Sequence, residues 1–136
     1  MSLKGYHKLF VHLVWSTDER QPLIDAHEET VLYEALIAKA KALQCVPIAI
    51  GGMADHVHML LAIKPSLAVS TLVQKLKGMS SRLMSSEISP GKAFRWQEGY
   101  GAFTVGPPEV AAVAHYVQNQ KRHHNEGRLV DRWENW

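Results

Sequence analysis

His56 and His58 stand two residues apart in the run Asp55-His56-Val57-His58-Met59-Leu60-Leu61. Residues two apart in an extended strand point to the same side, so the imidazoles would stand together while Val57, Met59, Leu61 and Ile63 point to the other face. Two neutral imidazoles so placed can each offer a nitrogen to one metal ion. The same spacing also suits polar residues at the end of a sheet, so the pattern alone does not settle its use. Farther on, Tyr116 and Gln120 are four residues apart, which puts them one turn apart on one helix face. A phenol can attack phosphorus covalently when a cation or base activates it, and a glutamine carbonyl is an acceptable hard ligand for magnesium or manganese. Taken singly, Tyr116 reads first as a core or interface residue; the two pairs together change that reading.

These residues need elements to position them. Lys8 to Ser16 is β-branched and aromatic, predicting a first, mostly buried strand. Asp25 with Glu28 three residues later reads as a capping box opening a helix that runs through Val31, Leu32, Ala35, Leu36, Lys39 and Leu43. Cys45–Ile50 and His56–Ile63 are apolar runs, expected as two antiparallel strands joined by Gly51-Gly52-Met53-Ala54-Asp55. Ser66 is placed to cap a second helix reaching about Ser85, with Val69, Leu72, Val73, Leu76, Met79 and Leu83 on its apolar stripe. Its opposite stripe is Thr71, Lys75, Gly78 and Arg82. Phe94–Val105 reads as strand interrupted by Gly99 and Gly101, and residues from Glu109 to about His124 as a last helix. Trp133 and Trp136 fall in a polar stretch with no assigned element. The order β-α-β-β-α-β-α predicts an α+β protein: a ferredoxin-like split βαβ antiparallel sheet with an extra C-terminal helix carrying the tyrosine. Two helices on one face leave the other free for a site.

The whole chain, residues 1–136, is expected to be one domain with an ordinary globular composition, 46% hydrophobic and 21% charged. No apolar run approaches a membrane span, no leader is apparent, and the lone Cys45 suits a reducing cytoplasm as a small buried residue. The net charge of +2 hides an asymmetry. Residues 1–63 carry five Lys and Arg against seven Asp and Glu, whereas residues 64–136 carry ten against six. A polyanion would therefore meet the second half.

Asp55-His56-Val57-His58 resembles the histidine-hydrophobic-histidine motif of HUH nucleases, and Tyr116-Val117-Gln118-Asn119-Gln120 resembles the Tyr-x-x-x-Gln helix of the single-tyrosine transposases of the 200/605 insertion-sequence group. His12-Leu13-Val14-Trp15, the Leu76 to Arg82 segment and Trp96-Gln97-Glu98-Gly99-Tyr100 extend the resemblance over about residues 6–124. It implies a dimeric enzyme that cuts and joins single-stranded DNA beside hairpins at transposon ends, in the nucleoid of a prokaryotic cytoplasm. Tyr116 would be the nucleophile, leaving a 5′-phosphotyrosine and a 3′-hydroxyl. His56, His58 and Gln120 would bind one divalent cation, Mg2+ or Mn2+. In such enzymes one subunit's tyrosine helix commonly completes the other's site.

Lys75, Lys77, Arg82, Arg95, Lys121 and Arg122 are candidates for phosphate contacts, and Trp96, Tyr100 and Phe103 for stacking on unpaired bases. Asp55 can either orient a ligand histidine or finish a turn. His115, His123 and His124 flank the site helix, as alternative ligands or solvated ends. Where the family often has a basic stretch after the Trp15 position, Ser16-Thr17-Asp18-Glu19-Arg20 places two acids. That departure leaves room for a weakly active, domesticated relative of the kind associated with repetitive palindromic elements. A hairpin-binding protein without catalysis and a metal-dependent phosphodiesterase with a structural Tyr116 are the rival readings.

Overall fold

The computed structural model describes residues 6–122. Its elements are β1 (Phe10–Ser16), α1 (Ala26–Ala42), β2 (Val46–Met53), β3 (His56–Ala62), α2 (Val69–Leu83), β4 (Gly101–Val105) and α3 (Val110–Gln118). The four strands form one antiparallel sheet in the order β2-β3-β1-β4. This is the expected split βαβ arrangement. Among the described residues no helix is long and apolar enough to cross a membrane.

Alternation along the central strands sorts side chains onto two faces. Val11, Leu13 and Trp15 of β1 and Val57, Met59 and Leu61 of β3 pack with Leu32, Leu36, Leu72, Val73 and Leu76 of α1 and α2 in the main core. On the other face Leu60, Ala49 and Val105 meet Val113 and Val117 of α3 in a smaller one. Helix α3 thus occupies the face that α1 and α2 leave open. The start of α1 is the expected capping box: Asp25 accepts from the Glu28 amide at 2.8 Å, and Glu28 accepts from the Asp25 amide at 3.0 Å. Glu28 is also buried against Lys92, whose Nζ donates to both its carboxylate oxygens at 2.8 and 3.0 Å, tying the segment after α2 to α1.

Four sequence expectations are corrected. Gly51, Gly52 and Met53 are strand residues, so the hairpin turn is Ala54-Asp55 alone. The glycines serve close approach: a Cβ on Gly51 would lie 1.9 Å from the Val117 carbonyl oxygen, and one on Gly52 2.1 Å from that of His56. Ser66 does not cap α2. A turn closed by the Leu67 amide on the Lys64 carbonyl holds it ahead of the helix, whose N-cap is Ala68 without a side-chain bond. Of Phe94–Val105 only the last five residues form a strand; Gly99 takes φ +90 and Trp96 makes an isolated bridge to Thr17. The last helix is interrupted at Asn119, whose φ of −111 and ψ of 33 leave the helical region before a further turn through Arg122. His123, His124, Trp133 and Trp136 lie outside the described residues.

Candidate active site

Because β3 buries Val57, Met59 and Leu61 against α1 and α2, its alternate residues His56, His58 and Leu60 must face α3. Both histidines are buried, at 1% and 0% exposure, with their rings 5.1 Å apart at 74°. Asp55, in the turn, sits behind His56 with Oδ1 2.7 Å from Nδ1, and the guanidinium of Arg20 approaches its other oxygen at 3.4 Å. The His56 hydrogen bond, helped by the positive charge of Arg20 and opposed by partial burial, holds the Asp55 carboxyl below its usual range. An ionised carboxylate only accepts, so His56 Nδ1 must donate.

On the other side of the ring, His56 Nε2 faces Gln120 Oε1 at 3.2 Å. Gln120 is buried and its amide nitrogen donates to the Tyr116 carbonyl at 3.2 Å, which fixes the oxygen toward the histidine. In a neutral His56 two lone pairs therefore face each other. Either a proton on Nε2 or a cation between the two satisfies them. Donors held at about 2.1 Å from one divalent ion, at right angles, sit roughly 3 Å apart, so the spacing and the nitrogen-oxygen donor set both fit such an ion. Among the described residues no three His, Cys, Asp or Glu side chains group to hold a metal ion by themselves.

Tyr116 lies edge-on to His58, ring centroids 5.8 Å apart at 80°, and is buried at 5% exposure. His56, His58, Tyr116 and Gln120 thus meet within one chain, beneath α3 and the turn that follows it. His115, by contrast, is exposed. His12 joins the group although only its place in a longer matching segment drew notice in the sequence. Its Nε2 is 2.8 Å from His58 Nδ1 and the rings stack at 5.0 Å. The signal was available: with Leu13 and Trp15 assigned to the core, His12 had to share the face of His56 and His58.

The proposed DNA-contacting residues separate. Lys75, Gly78 and Arg82 of α2 line a depression of about 300 Å³ together with Lys39 of α1, on the helical layer and with the sheet between them and the histidines. Arg95 and Arg122 are exposed. Lys77 is drawn inward: its Nζ donates to the carbonyls of Gln97 and Gly99 at 2.6 and 2.9 Å, and burial lowers its pKa. Lys121 binds Glu29 at 2.6 Å and the Gly52 carbonyl at 3.3 Å, fastening the end of the tyrosine segment to α1 and β2. Trp96 is a core residue rather than a stacking platform. It is 7% exposed, packs edge-on against Trp15 and Phe94, and donates Nε1 to Ser80 Oγ at 3.0 Å. Phe103 leans on His12, and Tyr100 remains exposed at 39%.

Comparison with known proteins bears on the family and the fold. The chain is 28% identical over 127 residues to the ISDra2 transposase TnpA of Deinococcus radiodurans, covering 86% of this chain and 88% of that protein. It is 38% identical over 72 residues to the transposase for insertion sequence element IS200 of Salmonella typhimurium, 49% of this chain and 47% of that one. A crystal structure of a transposase from Deinococcus radiodurans R1 superposes with a TM-score of 0.72 at 28% identity, covering 88% of this chain and 96% of that one. A REP-associated tyrosine transposase bound to a REP hairpin shares the fold, with a TM-score of 0.67 at 12% identity over 91% and 74% of the respective chains. The family of IS200-like transposases matches residues 5–120. The chain belongs to that family, whose members are enzymes of DNA transposition.

Proposed function

We propose that this chain, acting as one catalytic domain, cleaves and rejoins single-stranded DNA at hairpin-bearing transposon ends through a 5′-phosphotyrosine formed by Tyr116. His56, His58 and Gln120 would hold one divalent cation, Mg2+ or Mn2+. The observation that carries the reading is the facing of His56 Nε2 and Gln120 Oε1 at 3.2 Å beside the Tyr116 segment. When bound, the cation would polarise the scissile phosphate and offset the charge developing on its oxygens.

The chemistry left to the chain is short. Tyr116 Oη attacks phosphorus, the bond to the 3′ oxygen breaks, and that oxygen leaves as a hydroxyl after taking up a proton. The phenol gives up its own proton, so the step is balanced without an external reagent. Because one phosphodiester replaces another, the reverse attack by a 3′-hydroxyl rejoins DNA with no ATP. Asp55, through Nδ1 of His56, fixes the tautomer in which Nε2 carries a lone pair.

The depression ringed by Lys39, Lys75 and Arg82 is suited to duplex or hairpin phosphates, with Arg95 and Arg122 as further contacts. The hairpin bound by the REP-associated relative supports this choice of partner. A homodimer would supply two sites for the two ends of an element, and two-fold pairing is the commonest way to make one.

The test is incubation with hairpin-bearing single-stranded DNA and Mn2+, followed by denaturing electrophoresis. A covalent protein–DNA band is expected from the wild type and from no Tyr116→Phe protein, while hairpin binding survives the substitution. Cleavage by Tyr116→Phe at the wild-type rate would make water the nucleophile and the protein a phosphodiesterase. Binding without any adduct in the wild type would leave a hairpin-binding protein.

A further inference from the structure

We infer that His12 is a positioning residue for the proposed cation site, accepting a hydrogen bond from His58 Nδ1 and so keeping the His58 Nε2 lone pair available for coordination. The inference rests on the metal reading above. It starts from a contact with only two possible proton arrangements. His12 Nε2 and His58 Nδ1 are 2.8 Å apart in a fully buried pair, and between two neutral imidazoles one nitrogen donates and the other accepts. If His58 Nδ1 accepted, the proton of a neutral His58 would sit on Nε2 and close that nitrogen to a cation. Only the other direction makes His58 a ligand.

The fold holds His12 to this task. His12 pairs with Leu60 across the β1–β3 ladder and Val14 pairs with His58, so His12 and His58 are diagonal neighbours on one face. Phe103 of β4 leans on the far side of the His12 ring, centroids 5.7 Å apart, and the two imidazoles stack at 29°. Each histidine of the motif is then held at Nδ1 from behind: His56 by the carboxylate of Asp55, His58 by a neutral imidazole. An orienting partner of this kind typically changes metal affinity by about 10- to 100-fold.

Two measurements test it on the full chain. Long-range proton–nitrogen correlation NMR of the metal-free wild type should show His58 protonated at Nδ1; a proton resident on Nε2 overturns the inference. Mn2+ titration followed by electron paramagnetic resonance should give His12→Leu an affinity about 10- to 100-fold weaker than wild type. His12→Gln, whose amide oxygen can reach the same position, should stay within about threefold, with His58→Ala as the non-binding control. Wild-type affinity in His12→Leu, or equal loss in His12→Gln and His12→Leu, overturns the role of His12 while leaving the metal site standing. Wild-type protein that binds Mn2+ no better than His58→Ala overturns the metal reading and the inference with it. The NMR result decides the matter even where the leucine variant does not fold.

Discussion

Gly51→Ala should damage catalysis far more than it damages binding of DNA. A Cβ at Gly51 would come within 1.9 Å of the Val117 carbonyl oxygen, whereas ordinary contact begins at 3.4 Å, so the two backbones must part by about 1.5 Å. Val117 follows Tyr116 directly and precedes Gln120 by three residues, so the displaced segment carries both. A His56–Gln120 separation of 3.2 Å would open beyond hydrogen-bond reach and beyond what one small cation can span. Misplacement of reacting groups by about 1 Å can cost on the order of 100-fold in rate, and overpacking a tight contact costs about 1–3 kcal/mol. Single-turnover adduct formation should therefore fall by about 100-fold, the melting temperature should drop, and hairpin affinity should hold. Gly78→Ala is the control. Its Cβ meets nothing nearer than Arg82 Nη1 at 3.6 Å, and an alanine inside α2 should stabilise by about 0.5–1 kcal/mol. A Gly51→Ala protein with wild-type cleavage and wild-type melting would refute the claim that direct backbone contact between β2 and α3 sets the site.

Ser80→Ala removes the acceptor of the buried Trp96 Nε1 and should cost about 1–3 kcal/mol in chemical denaturation, with no loss of DNA affinity. Asp25→Ala should lower the melting temperature at neutral pH. The Glu28 amide depresses the Asp25 pKa, so the cap's contribution is present above the unfolded carboxylate value and is lost as pH falls through the lower folded one; the gap to wild type should close there. Neutralising Lys75 and Arg82 together should weaken hairpin binding and flatten its dependence on log salt by about 1–2 units, as measured by fluorescence anisotropy.

Period-two alternation carried most of the fold. It put the histidines opposite the main core, while the capping box at Asp25 opened α1 and the succession of elements gave the split βαβ sheet. What it missed was close contact between elements distant in sequence. Gly51-Gly52 looks like a turn in sequence because glycine is usually punctuation, whereas here the reason for glycine lies in Val117 and His56. Trp96 looks like a base-stacking aromatic until Ser80, Trp15 and Phe94 are brought around it. Lys77 and Lys121 look like phosphate ligands until carbonyls and a carboxylate accept their hydrogen bonds. Asp55 was open between two roles that one contact at 2.7 Å separates.

The central position of β1 has a consequence for synthesis. Phe10 must pair with Ala62 on one side and with Val105 on the other, so the sheet cannot close until β4 has been made. The surface on which α3 rests includes Val105, and the residues facing the three histidines come later still. Histidines translated early therefore wait, without their phenol and amide partners, while most of the described chain emerges. Closure of so long a loop is slow relative to helix formation. A nascent or truncated chain lacking the segment from Gly101 to Arg122 would carry the histidine motif without Tyr116 or Gln120, so under the proposed mechanism cutting activity should appear only after translation has passed that point.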